Sequence, residues 1–509
     1  MARDYLRRSL IAAAVTGPAA IVGSILVSQW FLALFAVPPA VYALPDITLR
    51  DRAAQRKEST DAELPFFSLA VGVLAGAGVP LYSILEEVAK GDFFSLRKEA
   101  LLVKRDVAVF GMNPVDAIER MALGHPSARF KEFLLGCTSK IRSGGDLGPY
   151  LAAESASLLG GVKEGWARYV SRIGLIGSMM VTAFGVVPLL LLVAGVFSPG
   201  FSILGLVAYA GVAVPFMTAG LVVLAGRLQP MKLEMARGRT WAGLAAAIPI
   251  SLAAYHWGNV WESLALGSIA FFVVYGMPVR TQLSEARDFE QGLSRFLKDI
   301  LEFKRRDYDL ARAVVAVSGA TEYPAAFDKV LSEIAAQLRM GAPLDEVKVR
   351  CRSRIGKLIF HLLGQMARSG GGTVDTVNQL STFVDRVKES MRETSAEMKP
   401  YLALSYLSPL LLAFGVAFVG GVSTSLGGMS KIAEGIGQSG LQFGAVPGAL
   451  EQTADVLIVA SSASLGLIAT KITDMTIRNT AKAAVNVLVA AIAVAVVSFV
   501  GPHSLGHLL

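Results

Sequence analysis

The stretch "SKIRSGGDLGPYLAAES", residues 139–155, is polar and carries a double glycine, in a chain that is otherwise half hydrophobic. The stretch "QMARSGGGTVDTVNQLS", residues 365–381, repeats its pattern, and both lie far from any long apolar run. A double glycine after an amphipathic run is first of all a helix stop, because glycine adopts the left-handed cap at little cost. We therefore expect a helix to end at each pair and the next one to begin at Asp146 or Thr373, both suitable N-caps.

The composition indicates an integral membrane protein with sizeable water-facing parts. Of the 509 residues, 53% are hydrophobic and 17% charged, against ~25% charged in ordinary soluble domains. The net charge of +8 is explained by the bias of Lys and Arg to the cytoplasmic side of a membrane rather than by nucleic acid binding. The two cysteines, Cys137 and Cys351, are expected to be free thiols, because their spacing fits neither a disulfide framework nor a CxxC metal site.

Apolar runs predict the membrane spans. A span needs about 20 predominantly apolar residues, and nine stretches qualify or nearly do: 9–26, 28–45, 173–198, 201–225, 241–257, 260–278, 401–424, 453–470 and 484–502. The first two are short, so the segment 9–45 either spans twice or forms a re-entrant hairpin. The basic, apolar start of the chain resembles a signal peptide without a cleavage site, and we interpret it as a retained first span.

Charge asymmetry orients these spans. The basic loops 226–240 and 471–482 and the basic N-terminus are predicted to be cytoplasmic, and the C-terminus is predicted to lie outside the cell membrane. The expected organisation is all-α: an N-terminal membrane hairpin (1–45), a cytoplasmic helical bundle (46–172), four transmembrane helices (173–278), a second cytoplasmic bundle (279–400) and three C-terminal transmembrane helices (401–509). The Gly-rich outer loop 425–452 is either an interfacial helix or a flexible loop.

The two bundles are predicted to be copies of each other. "FGMNPVDAI" (110–118) aligns with "LRMGAPLDEV" (338–347) at an offset of 229, and the two RSGG motifs align at an offset of 226. "PLLLLVAGVF" (188–197) aligns with "PLLLAFGVAF" (409–418) at an offset of 221. Both Pro114 and Pro343 suit the first turn of a following helix. The repeated motif residues are Arg142, Ser143, Gly144, Gly145 and Pro188 in the first copy, and Arg368, Ser369, Gly370, Gly371 and Pro409 in the second.

With this repeat the chain resembles the type II secretion F-domain proteins, the platform subunits of type II secretion systems, type IV pili and the archaellum. Their motif is a Ser-Gly pair followed by a small and then an apolar residue, here at 143–147 and 369–374. Bacterial members carry Gly-Glu before this pair, where the present chain has Ile141-Arg142 and Ala367-Arg368. The nine predicted spans and the external C-terminus are similar to the archaeal branch, which serves adhesion pili and the archaellum. The resemblance covers 63–225 and 289–471.

The resemblance implies a platform protein without enzymatic activity or cofactor. It would couple a cytosolic hexameric ATPase to the assembly of pilin-like subunits into a filament, as a homodimer or at the centre of a larger machine. The residues agree with this expectation, because they contain no P-loop and no metal-ligand spacing. A transporter with an internal repeat is the alternative, and the scarcity of polar and ionisable residues in the spans argues against it. A membrane-anchored signalling scaffold is a third class, and no sensor motif supports it.

Basic clusters in the polar stretches are candidates for docking the ATPase through complementary charge. The alternative is a solvated helix face or contact with the anionic headgroups of membrane lipids. The second bundle is the more basic, with 20 basic against 17 acidic residues over 279–400, so its clusters come first and the loop 226–240 is a further possibility. The first candidates are Lys348, Arg350, Arg352, Arg354 and Lys357, and the next are Lys304, Arg305 and Arg306; Arg97, Lys98, Lys104 and Arg105 form a further basic cluster in the first bundle.

Overall fold

The computed structural model describes residues 37–505, except 77, 91–92, 94, 146, 198–202, 230–239, 371 and 436–447. Every regular element in this part of the chain is helical, which confirms the all-α fold class. The chain divides into two compact units, residues 1–158 and 159–509. The predicted span 9–26 and the N-cap role of Asp146 lie outside the described residues.

The first unit holds a bundle of amphipathic helices, which we call bundle 1. Its elements are α1 (Val37–Gly76), α2 (Leu81–Lys90), α3 (Leu96–Ala108), α4 (Pro114–Leu123), α5 (Ala128–Arg142) and the beginning of α6 (Leu147–Val181). Phe67 lies at the centre of its core, with ring centroids 6.5 Å from Phe93, 6.2 Å from Phe130 and 5.7 Å from Phe133. These rings come from three different segments, so they bring the apolar stripes of the helices together.

The second unit holds the spans and a second bundle. Its elements after α6 are a π-helical turn (Thr182–Val186), α7 (Val187–Phe197), α8 (Ile203–Ala208), a second π-helical turn (Tyr209–Ala213), α9 (Val214–Leu228), α10 (Thr240–Trp257), α11 (Val260–Arg305), α12 (Leu310–Ala320), α13 (Ala325–Arg339), α14 (Arg354–Ser369), α15 (Val374–Glu397), α16 (Lys399–Gly435), α17 (Gly448–Asp474) and α18 (Ala481–Leu505). The C-terminal half of α11 and the helices α12 to α15 form bundle 2. Phe296, at an offset of 229 from Phe67, lies at its core, with centroids 5.4 Å from Phe327 and 5.5 Å from Phe360.

The backbone repeats most clearly at the turns. Left-handed residues occur at Gly78, Gly111 and Gly144 in bundle 1, and at Asp307, Gly341 and Gly370 in bundle 2. After α5, the Gly144 N–H donates to Ile141 O at 3.2 Å and the Gly145 N–H to Lys140 O at 3.0 Å, which is the paired Schellman pattern. The same pattern closes the turns at Gly78, Asp307 and Gly341. Each bundle therefore reverses its chain three times with a left-handed residue, and all three reversals lie at one end of the bundle.

One helix of bundle 1 has no counterpart in bundle 2. Pro114 begins α4, as predicted, and the Asn113 side chain accepts from the Val115 N–H at 2.9 Å. The same prediction is wrong for Pro343, because residues 344–346 form a turn and the next helix begins at Arg354. The offset between the copies falls from 229 at the aligned prolines to 226 at the RSGG motifs, so bundle 2 has three fewer residues here than bundle 1. The shorter segment has to be extended to reach the start of α14. Its backbone lies directly on α14, where a Cβ on Gly364 would come within 2.7 Å of Asp345 Cα.

Six described helices are long and apolar enough to cross a membrane: Leu147–Ala194, Gly205–Leu228, Val260–Arg305, Val374–Val422, Gln452–Asp474 and Ala481–Phe499. They overlap with six of the nine predicted spans. The predicted span 241–257 forms the 18-residue helix α10, which is not among the six. The predicted span 28–45 is described only from residue 37, inside α1. The described residues thus support a multi-pass protein with six such helices, and the count of nine spans stays a prediction.

The proline-centred spans of the two repeats pack side by side. A Cβ on Gly185 would lie 3.0 Å from Ser408 Oγ, and a Cβ on Gly415 would lie 2.4 Å from Leu189 Cδ1. Pro188 follows the first π-helical turn, whereas Pro409 lies inside α16. Small residues at these contacts let two helix backbones approach closely, as in other membrane helix pairs.

The left-handed caps predict a stability effect. Gly144→Ala and Gly370→Ala meet no atom within 4 Å, so each should cost only the left-handed strain of an L-residue, about 1 kcal/mol. Gly319→Ala in α12 also meets no atom within 4 Å and has no positive φ, so it should leave stability unchanged or raise it. The measurement is the unfolding midpoint of the full-length protein in detergent. Equal midpoints for all three variants would contradict the role of the caps.

Candidate functional site

The end of each bundle that carries the left-handed residues is here called its turn end. In bundle 2 the turn end consists of residues 306–309, 340–343, 370 and 372–373. The opposite end is called the span end, because there α11 arrives from its apolar N-terminal half and α15 is followed by α16. Only the span end is connected to the spans, so the turn end is the end that a soluble partner protein can approach.

The cluster Lys304, Arg305 and Arg306 lies at the turn end of bundle 2. Arg305 is exposed and pairs with Glu302 on the same helix at 3.3 Å. The Arg306 guanidinium lies 5.9 Å from the centroid of the Phe303 ring. Exposed ion pairs of this kind contribute little to stability, so these positive charges can be used by a partner without unfolding the bundle.

The cluster 348–357 runs along the side of bundle 2, from the last turn of α13 towards the span end. Lys348 and Arg350 are exposed on the extended segment that leads away from the turn end, and the Lys348 N–H donates to Gln337 Oε1 at 3.2 Å. Arg352 pairs with Glu285 at 3.2 Å, and Lys357 is half-buried on α14. Arg354 begins α14, and its side chain lies outside the described residues. Glu285 precedes Arg305 on α11 by twenty residues, about 30 Å of helix, so the structure does not bring the two clusters together.

The basic residues of bundle 1 are also divided between two ends. Arg97 and Lys98 are exposed at the start of α3, where Arg97 Nε donates to Ala89 O at 3.0 Å. Lys104 and Arg105 lie near its end, and Arg105 pairs with Asp106 at 2.6 Å. The predicted cluster 97–105 is therefore one helix face and not a compact patch.

Exposed apolar side chains accompany the charges at both turn ends, and none of them is among the sequence-based candidates. In bundle 2 Met340 is 79% exposed and Tyr308 43%. In bundle 1 Val109 is 71% exposed and Phe110 61%, with the Arg105 guanidinium 5.6 Å from the Phe110 ring centroid. Phe110 and Met340 each directly precede a left-handed glycine, and this pairing in "FG" and "MG" is the sequence signal that could have found them. Apolar residues with neighbouring arginines are typical of protein interfaces.

The repeated RSGG arginines have a structural role that their spacing did not reveal. Arg142 pairs with Asp116 at 2.6 Å and with Glu119 at 2.9 Å. Arg368 pairs with Asp345 at 3.5 Å. Asp116 and Asp345 are the aspartates that follow the aligned prolines, so two anchors of the repeat contact each other in both bundles. Ser143 Oγ and Ser369 Oγ each donate to a carbonyl of their own helix, and Thr373 caps α15 by accepting from the Thr376 N–H at 3.3 Å.

The opposite end of each bundle carries a second repeated contact, which is partly buried. The hydroxyl of Ser127, the N-cap of α5, donates to Asp61 of α1. The hydroxyl of Ser353, the N-cap of α14, donates to Glu290 of α11 at 3.1 Å. Asp61 and Glu290 differ by the same offset of 229. Burial raises the pKa of Glu290, and the Ser353 hydroxyl acts in the other direction. These contacts fix the helices where each bundle joins the rest of the chain.

A histidine is buried beside the Ser127 contact in bundle 1. His125 Nδ1 accepts from the Ser127 N–H at 3.0 Å, and His125 Nε2 lies 3.7 Å from Glu99, which in turn pairs with Arg56 at 2.6 Å. Burial lowers the pKa of His125 below its ordinary value, although Glu99 opposes this shift. Burial likewise raises the pKa of the Cys137 thiol to about 12, so this cysteine is protonated and unreactive at neutral pH.

Hydroxyl and amide groups are buried between the spans, although the sequence predicts that polar groups are scarce there. Ser405, Ser408, Ser461, Ser462 and Asn486 are all buried, and Asn486 Nδ2 donates to Ser462 O at 3.1 Å. Polar side chains of this size hold membrane helices together. Among the described residues no group of three or more His, Cys, Asp or Glu side chains could hold a metal ion.

Comparison with known families identifies what this duplicated bundle is. Residues 67–195 and 296–421 each match the model of the family described as Type II secretion system (T2SS), protein F. The chain belongs to this family. The two matches together cover half of the chain, and they begin at the core aromatics Phe67 and Phe296. The chain is thus a multi-pass membrane platform protein of secretion or pilus machinery. The proteins of this family are platforms rather than enzymes.

One curated relative supports an archaeal comparison. The Methanocaldococcus jannaschii protein named "Uncharacterized protein MJ1286" is 20% identical over 432 residues, which cover 72% of this chain and 69% of that protein. No solved structure matches the chain significantly.

The buried histidine predicts a pH dependence. Because the pKa of His125 is lower in the folded protein than its usual 6.5, the unfolded chain binds the proton more readily, and stability is lost as the pH falls through that range. His125→Asn keeps an acceptor for the Ser127 N–H but cannot titrate, so its stability should fall less between pH 7.5 and pH 5.5, values chosen as about one unit on either side of the usual His pKa. The measurement is the unfolding midpoint of full-length protein at both pH values. An unchanged pH dependence in the variant would show that His125 is not the titrating group.

Proposed function

We propose that this chain is the membrane platform of a type IV pilus-like machine, of the archaeal pilus or archaellum kind, which couples a cytosolic hexameric ATPase to the assembly of pilin-like subunits. The observation that carries the proposal is the duplicated helical bundle whose helices continue directly into spans, as in α11. In the proposed topology the N-terminus lies inside and the C-terminus outside, and both bundles face the cytoplasm, in agreement with the distribution of Lys and Arg.

The proposed docking surface is the turn end of bundle 2. The sequence alone favours 348–357, but two observations favour Lys304, Arg305 and Arg306. These charges share the turn end with the exposed side chains of Met340 and Tyr308, and the turn end has no connection to the spans. A motor that pushes there acts on the free end of α11, the helix that leads into the membrane. The ATPase surface that fits would carry carboxylates around an apolar depression.

In this proposal the platform transmits the mechanical work of the motor and catalyses no reaction itself. ATP hydrolysis belongs to the motor, and the bundles move as packed bodies, because their cores are aromatic and closely packed around Phe67 and Phe296. The spans follow that movement and help to transfer pilin-like subunits from the bilayer into the filament. A homodimeric platform would present two turn ends of each kind to a hexameric motor.

Charge reversal tests the docking surface. The triple variant Lys304→Glu, Arg305→Glu, Arg306→Glu should weaken binding of the pilus-type ATPase to detergent-solubilised full-length protein by about tenfold or more, which corresponds to ~1.4 kcal/mol. Binding of the unchanged protein should also weaken as salt is raised, because exposed charges are screened. The measurement is co-purification together with a binding titration at two salt concentrations.

Two variants with the same charge change complete this experiment. The variant Lys348→Glu, Arg350→Glu, Arg352→Glu tests the surface that the sequence favours. The variant Lys329→Glu, Arg386→Glu, Arg392→Glu changes exposed residues of α13 and α15 away from the turn end and serves as control. Equal weakening by all three variants would indicate a nonspecific effect of charge. Loss of binding only in the 348–352 variant would place the docking surface along the side of the bundle, and unchanged binding in every case would overturn both assignments.

A further inference from the structure

The turn between α17 and α18 is held by charged and polar side chains. Met475, directly after α17, is left-handed with φ 57. Its carbonyl accepts from Lys471 Nζ at 3.0 Å, and the same ammonium group donates at 2.8 Å to Oε1 of Gln229, the residue directly after α9. A left-handed methionine is strained, so this conformation persists because its surroundings hold it. The turn is thereby attached to the end of a neighbouring span.

Asp474 lies at the centre of this network. Its carboxylate accepts from Asn479 Nδ2 at 2.7 Å, from Lys482 Nζ at 2.9 Å and from Arg287 at 3.1 Å. The side chain is only 4% exposed, whereas that of Arg287 is 63% exposed. Removing one partner of a buried charge is costly, so the position of the carboxylate is determined by three partners from two parts of the chain, residues 479–482 and α11.

Arg287 connects the network to bundle 2. It lies on α11 between the apolar N-terminal half of that helix and Glu290 at the span end of bundle 2. Asp474 follows Arg287 by 187 positions, so the ion pair joins parts of the second unit that are distant in sequence. The pair sits where α11 leaves the apolar region and enters the bundle.

A second contact fixes α11 against the same turn. Thr480 Oγ1 donates to Phe272 O at 2.7 Å, and Gly276 leaves room for the approach, because a Cβ there would lie 2.6 Å from the Ala481 nitrogen. Gly276 and Arg287 are eleven residues apart, about 17 Å along the helix. Two contacts at different heights prevent α11 from pivoting freely on the hairpin α17–α18.

The position of the hairpin α17–α18 allows it to transmit a displacement to the other spans. Among the six long apolar helices, α17 has the most buried span. Its residues Leu457, Leu465, Ile468 and Ile472 belong to the central core of the spans. A displacement that reaches α17 therefore reaches the middle of the described spans, since packed interiors transmit strain.

We propose that Asp474 is the positioning residue that transmits the movement of bundle 2, delivered along α11, to the buried hairpin α17–α18. The inference rests on the proposed function, since it concerns the path taken by the motor's work. The ATPase docks at the turn end of bundle 2, and Asp474 lies beyond its span end. Neutralising Asp474 therefore separates docking from transmission, so that the motor still binds but its work no longer reaches the membrane hairpin.

The test is Asp474→Asn in the full-length protein. Filament output should fall about tenfold, a loss at the upper range of what residues outside a binding site do to coupling. Membrane level and ATPase binding should stay within about twofold, because the docking surface is unchanged. Asp474→Glu should recover part of the output, since it restores the charge. The control is Glu164→Gln, which removes a carboxylate from an exposed pair with Arg168 and should change nothing.

Hydrogen exchange gives a direct readout of transmission. Addition of the ATPase should alter exchange at residues 475–480 in the unchanged protein and not in Asp474→Asn. If the variant does not reach the membrane, Arg287→Gln replaces it, since that change leaves Asp474 with Lys482 and Asn479. Equal exchange changes in both proteins, or normal filament output in the variant, would overturn the inference. Failure of the ATPase to bind the unchanged protein would overturn the proposed function instead.

Discussion

The second unit depends on one constraint, which is that backbone polar groups inside a bilayer have to be bonded within their own helix. A span is therefore helical throughout the bilayer, and the same helix can continue beyond it into a bundle. Helix α11 does this over 46 residues, even with Pro278 inside it. On the return path, Met398 alone separates α15 from α16. These long helices make each bundle a continuation of the spans, and the packing of bundle and membrane core is arranged around them.

This constraint does not apply at the turn ends of the bundles. There the two copies share backbone conformation more than residue identity. Asp307 occupies the left-handed position that Gly78 occupies in bundle 1, because a short polar side chain tolerates that region. The pairing of an RSGG arginine with the aspartate after the aligned proline survives even though α4 has become a turn. What the two copies share is thus a set of reversals and the side chains that brace them.

The sequence was sufficient for the repeat, the all-α class and the family, because RSGG and the aligned prolines are local signals. It was insufficient for Pro343, where the lost residues and the contact at Gly364 outweigh the helix-start preference of proline. It was also insufficient for the site. The candidate clusters 348–357 and 304–306 look adjacent in a list of basic residues, yet they lie along different parts of bundle 2. Asp474 and Arg287 are 187 positions apart, and no periodicity predicts such a pair.

The ion pair at the turn end of bundle 2 and the ion pairs of Asp474 differ in whether a partner protein can replace them. Arg305 and Glu302 are both more than half exposed, so the pair is held weakly and a docking protein can exchange it for its own carboxylates. Asp474 is buried with three donors, so it can neither be released nor left unpaired without a large cost. Under the proposed function a motor would dock at exchangeable charges and act through a fixed one. The exchangeable pair lies at the C-terminal end of α11, and the fixed charge lies beside Arg287, near the middle of that helix.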